Sequence, residues 1–159
     1  MRLVADSSSI ISLYVGGVLD KLFLLAEVYT TDLIADELTE PSTEDLRQMG
    51  LKICSLSKAE LNRTEQIVLQ KPDLSLQDGS VIILAQSLVA TVLADDKPLR
   101  EFAQTQGLAV HGSLWVIEQL ASQGQIDHSQ VCTAIENMLN GGRRLPRREV
   151  QRIQKQYGC

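Results

Sequence analysis

The chain of 159 residues is 44% hydrophobic, enough for one domain with a real core and too short for two ordinary ones, so residues 1–159 read as a single domain. A formal net charge of −5 argues against a generic nucleic-acid coat, and no apolar run approaches the roughly 20 residues of a membrane span, so no membrane partner is expected. The charge is uneven: between Arg143 and Cys159 stand Arg143, Arg144, Arg147, Arg148, Arg152 and Lys155 against Glu149 alone, which points to an anionic partner or to a solvated terminal helix.

Short β-branched runs alternate with longer helical stretches, the pattern of βαβ units around a parallel sheet. Strands are predicted at Arg2–Asp6, Val28–Thr31, Leu51–Ser55, Thr91–Asp95 and Ala109–His111. Helices are predicted at Ser8–Tyr14 and Val18–Glu27, then Asp32–Glu40, Thr43–Met49, Lys58–Gln70, Ser75–Val89, Pro98–Gln106, Ser113–Ser122 and Ser129–Leu139. Pro146 is placed to open a last one. Cys54, Cys132 and Cys159 are odd in number and far apart, so neither a disulfide framework nor a CxxC motif is expected. Met1-Arg2 leads straight into a strand rather than a signal peptide, and together these features suggest a reducing cytoplasm.

Asp6, Glu37, Asp78 and Asp96 sit where apolar elements end or where a helix turns its inner face. Brought together they would repel one another, and a hard divalent cation with oxygen ligands relieves such repulsion. Each also has a plain structural reading. Asp6 can cap the helix near Ser8, Ser75 with Asp78 resembles a capping box, and Asp95-Asp96-Lys97-Pro98 can be an ordinary strand-to-helix turn. Glu37 follows Ile34 by three and Leu33 by four, on the flank of an apolar stripe, whereas Asp32, Asp36 and Glu40 form a solvated face. Gly79, inside a helix, marks close approach of another group. His111 and His128 lack metal-ligand spacing, Trp115 reads as core, and no GxSxG, GxGxxG or GxxxxGK[ST] sequence occurs.

The segments VADSSSIISL, TTDLIADEL, LSLQDGSVIILAQSL and ATVLADDKPLREFAQTQGLAVHGSLWVIEQLASQGQI, in that order, resemble the PIN domain family, the fold of VapC-type toxins and related nucleases. The closing LNGGRRLPRREVQRIQKQYG is similar to the last helix of one branch of that family. The resemblance implies a three-layer α/β/α fold with a central parallel sheet of about five strands in the order 3-2-1-4-5. It implies Asp6, Glu37, Asp78 and Asp96 as ligands of Mg²⁺ or Mn²⁺, with Ser8 as a polar neighbour and Asp95 as a further ligand if the register of the acid pair is the other one. The expected activity is metal-dependent hydrolysis of single-stranded RNA, with Arg143, Arg144, Arg147 and Arg148 holding the phosphates. An antitoxin partner and a homodimer are implied as well. Two rivals stand beside this reading: a PIN-like module that binds RNA or protein and cleaves weakly, and a phospho-receiver switch, whose phosphoacceptor position Ser55 would occupy.

Overall fold

The computed structural model describes residues 1–159. Five parallel strands, β1 (Arg2–Ala5), β2 (Glu27–Thr31), β3 (Lys52–Cys54), β4 (Thr91–Leu93) and β5 (Val110–His111), form one sheet in the order β3-β2-β1-β4-β5. Leu3, Val4, Val28, Val92 and Leu93 are buried, as strands covered by helices on both faces must be. The chain winds outward through β2 and β3 and then returns to the other side of β1, where Leu3 pairs with Thr91 and Ala5 with Leu93. That reversal opens a crevice beyond the carboxyl ends of β1 and β4.

The helices are α1 (Ser7–Val15), α2 (Leu19–Leu25), α3 (Asp32–Glu37), α4 (Thr43–Met49), α5 (Lys58–Gln70), α6 (Leu76–Leu88), α7 (Lys97–Thr105), α8 (Ser113–Ser122), α9 (His128–Asn140) and α10 (Arg147–Gln156). None is long and apolar enough to cross a membrane by itself. Helix α3 is shorter than the sequence suggests. Leu38 turns to an extended backbone (φ −87, ψ 125), so Glu37 is its last residue and Glu40 leaves the helix to accept a hydrogen bond from Tyr14 Oη. Pro146 is the N-cap residue of α10 rather than part of its first turn, and the helix docks by one face: Val150 and Ile153 join the central core and Tyr157 packs on it.

One expectation is corrected. Cys132 on α9 and Cys159 form a disulfide, with Cα atoms 5.5 Å apart. Twenty-seven residues separate them in sequence, and only the return of α10 across the fold makes them neighbours. Cys54 alone is free, so the cysteines do not argue for a reducing compartment.

Candidate active site

Asp6 leaves β1 in an extended conformation and caps α1, its Oδ1 accepting from the Ser9 amide at 2.8 Å and its Oδ2 from Ser8 Oγ at 2.6 Å. Its own amide donates to the Leu93 carbonyl of β4, and Ser9 Oγ donates to the same carbonyl at 3.0 Å, so the turn is locked to the neighbouring strand. The residue is 3% exposed. Burial pushes its carboxyl up to about 6 although the serine hydrogen bonds pull the other way, and the charge of Asp95 adds to the rise. The capping role and Ser8 as polar neighbour are therefore both present.

Asp95 and Asp96 follow β4 and serve different purposes. Asp96 is exposed and caps α7 through the Leu99 amide at 3.4 Å. Asp95 is turned toward α8: its Oδ1 accepts from the Ser113 amide at 2.7 Å and its Oδ2 from Ser113 Oγ at 2.8 Å. Gly112 makes room for this, since a Cβ there would lie 2.9 Å from both Asp95 Oδ1 and Arg100 Nη1. Arg100 in turn donates to the Ala94 carbonyl at 2.7 Å. Neither Gly112, Ser113 nor Arg100 was singled out from sequence. The signal available was a strand followed by Gly-Ser at the start of a helix, beside the sheet edge where the acid pair ends β4.

Asp78 completes the capping box foreseen with Ser75, accepting from the Ser75 amide at 3.0 Å while Ser75 Oγ accepts from its own amide. Burial raises its carboxyl most, and the charges of Asp96 and Glu37 raise it further against the pull of the Ser75 bonds. The carboxylate therefore caps a helix and shares a field with two of the other predicted acids. The start of α6 is fixed against β2 by a 2.8 Å hydrogen bond between buried Ser80 Oγ and Thr31 Oγ1. Thr31 also caps α3, the helix that ends in Glu37. Gly79 marks a close approach as expected, and the approaching group is Thr64 of α5, whose Cγ2 would lie 3.2 Å from an added Cβ. Glu37 differs from expectation in one respect: it is exposed, as the last residue of a helix that stops there.

A cleft of about 560 Å³ runs from Asp95 and Asp96 to the basic segment, with Ser8, Arg143 and Arg144 also among its walls; Asp6, Glu37 and Asp78 lie outside its lining. Arg143 is built into that wall. Its Nε donates to Ser12 Oγ at 3.0 Å and its Nη2 to the Ser8 carbonyl at 3.2 Å. Arg144, Arg147 and Arg148 are exposed and form no ion pair, whereas Arg152 is bound by Glu118 at 2.7 Å and Glu149 at 2.8 Å.

The donor set of Asp6, Glu37, Asp78 and Asp96 consists of carboxylate oxygens, the chemistry a hard divalent ion requires, and two of its members are raised by burial and by neighbouring negative charge that such an ion would offset. As placed, no three of the acidic, histidine or cysteine side chains are gathered tightly enough to chelate one ion. Ser113 occupies one acceptor direction of each Asp95 oxygen.

Comparison with known proteins agrees with this geometry. A family model described as PIN domain (DUF3368) matches residues 2–158. Among solved structures, the PilT N-terminus domain protein SSO1118 from the archaeon Sulfolobus solfataricus P2 is similar over 77% of this chain and 92% of its own, with a TM-score of 0.52 and 18% identity. PAE2754 from Pyrobaculum aerophilum is similar over 77% of this chain and 99% of its own, with a TM-score of 0.56 and 12% identity. No curated protein sequence matches. A sheet of order 3-2-1-4-5, with acids beyond the carboxyl ends of its central strands and a family match over nearly the whole length, places this chain in the PIN domain family.

Proposed function

We propose that the protein hydrolyses phosphodiester bonds of single-stranded RNA, using Mg²⁺ or Mn²⁺ held by Asp6, Glu37, Asp78 and Asp96. The observation that carries this reading is electrostatic: burial raises the Asp6 and Asp78 carboxyls most, and the charge of Asp95 adds to the rise at Asp6 as those of Asp96 and Glu37 do at Asp78. When bound, the ion orients a water, lowers its pKa and offsets charge on the phosphodiester.

The protein's own groups do the rest. Ser8 and the Ser9 amide hold the Asp6 carboxylate in place, and Ser113 fixes Asp95 in the wall of the cleft. Without the ion the acidic floor repels RNA, so capture falls to the basic wall. Arg143 holds that wall against α1, and Arg144, Arg147 and Arg148 offer free guanidinium groups to phosphates. An antitoxin and a homodimer belong to the same reading and are checked by co-purification and by the mass of the purified protein in solution.

The test is cleavage of a labelled single-stranded RNA with added Mg²⁺ or Mn²⁺, with excess chelator, and with Asp96→Asn. Cleavage that survives chelation, or that Asp96→Asn leaves untouched, overturns the proposal. A non-cleaving module that binds RNA or protein has support in the spacing of the acids, no three of which are set to chelate one ion. Tight RNA binding without cleavage at any metal concentration would select it.

A further inference from the structure

Trp115, expected in the core, is only half-buried, and so is His111. Their rings stack with centroids 3.9 Å apart and planes within 4°. Both line a second cavity of about 610 Å³, whose walls include Arg100, Asp95, Lys97 and Pro146. The last three also line the carboxylate cleft, so the two cavities are neighbours that share a wall. A stacked pair that only stabilised the turn from β5 into α8 could be covered by core side chains. Here it stands in the wall of a space large enough for a ligand. The three acids in that wall, Asp95, Glu118 and Glu149, are matched in number by Lys97, Arg100 and Arg152, the last of which pairs with both glutamates.

We propose that this cavity is a stacking subsite for one nucleobase of a single-stranded RNA whose backbone crosses the carboxylate cleft. The inference rests on the nuclease reading for the identity of the strand. A base displaced from its neighbours keeps a flat, polarisable face, and an aromatic platform beside a phosphate-binding cleft offers that face a partner regardless of sequence. The platform would set where along the strand the scissile bond lies, because a base seated on His111 and Trp115 fixes the phosphate presented to Asp95 and Asp96. Selection by stacking tolerates every base and responds weakly to salt, in contrast to the arginine contacts across the cleft.

Trp115 is the sole tryptophan, so its fluorescence reports this cavity alone. Protein in Ca²⁺ solution is titrated with a short labelled oligoribonucleotide and with an abasic ribose-phosphate oligomer of equal length, with anisotropy giving affinity and tryptophan emission giving occupancy. The expected result is saturable quenching by the first only, with affinity about tenfold higher than for the abasic oligomer. Trp115→Phe should keep most of that preference and Trp115→Leu should lose it, with circular dichroism verifying the fold of each. Equal affinity for the two oligomers, binding without a change in emission, or no binding would each overturn the proposal. Metal-dependent cleavage of a longer RNA is scored separately. Quenching without cleavage keeps the subsite and removes the nuclease reading, and cleavage without quenching does the reverse.

Discussion

Asp6 and Ser9, either side of the cleft-lining Ser8 and forming an acidic floor with it, are buried and tied to β4 by two hydrogen bonds to the Leu93 carbonyl, whereas Arg144, Arg147 and Arg148 on the basic side stand in solvent and pair with nothing. The floor is made of charge that the fold tolerates at a cost. The basic side is made of charge that costs the fold almost nothing, carried on and just before a helix anchored by Val150 and Ile153. Arg143 is the exception on the basic side, since its guanidinium is spent on Ser8 and Ser12. Charge changes at the floor should therefore alter chemistry and stability together, while changes on α10 should alter affinity alone.

The largest expected effect is on chemistry at the floor. Asp6→Asn and Asp96→Asn should each lower metal-dependent RNA cleavage by more than about 100-fold, beyond the usual cost of losing a group that only supports a ligand. The fold should survive, because an amide oxygen can still accept from Ser9 or Leu99. Retained cleavage in both variants would erase the difference between the two sides of the cleft.

Next comes stability against pH in chelator. With the folded Asp6 value raised from 3.8 to about 6, the folded chain binds the proton more tightly than the unfolded chain. The penalty is absent below the ordinary value, grows as pH rises, and is complete above the folded value. At about 1.4 kcal/mol per pH unit it reaches about 3 kcal/mol. Asp6→Asn should therefore be more stable than the parent at pH 7 by up to that amount and gain little at pH 4, as urea unfolding at the two values would report. A gain of equal size at both would mean that desolvation of the carboxylate is not what the substitution relieves.

Arg143→Ala should destabilise the protein by about 1–3 kcal/mol, the range for hydrogen bonds to a charged group, and thermal unfolding reads it. An unchanged melting temperature would return Arg143 to the company of its exposed neighbours. The smallest effect is expected for Arg147 and Arg148 changed together to Ala. Stability should hold within about 0.5 kcal/mol, and the slope of log affinity for single-stranded RNA against log salt should become shallower by about 1.4, at roughly 0.7 for each charge lost. Binding identical to the parent at every salt concentration would show that this part of α10 takes no part in capture.

The caps at Asp6, Ser75 with Asp78, and Asp96 were legible because they depend on local signals: an apolar run ended by an acid, a hydroxyl three residues before an acid, a proline after an acid; the sheet order came only with the resemblance to the PIN family. What was not legible depends on contacts between distant residues. Asp95 finds Ser113 across 18 residues, Arg143 finds Ser8 across 135, and Cys132 finds Cys159 across 27. The exposure of Glu37 escaped for a different reason. An apolar flank inferred from helical spacing presumes that the helix continues, and α3 ends at that residue.

Gly79 makes the site sensitive to a substitution that carries no charge. A methyl group there would press on the Thr64 carbonyl oxygen at 3.3 Å, and α5 and α6 would have to part by a few tenths of an ångström. Helix α6 begins beside Asp78, so that shift would pass directly into the spacing between Asp78, Asp96 and Glu37. Coulomb repulsion varies inversely with separation. An alanine at position 79 would thus retune the proton affinity of a carboxylate one residue away without adding or removing an ionisable atom.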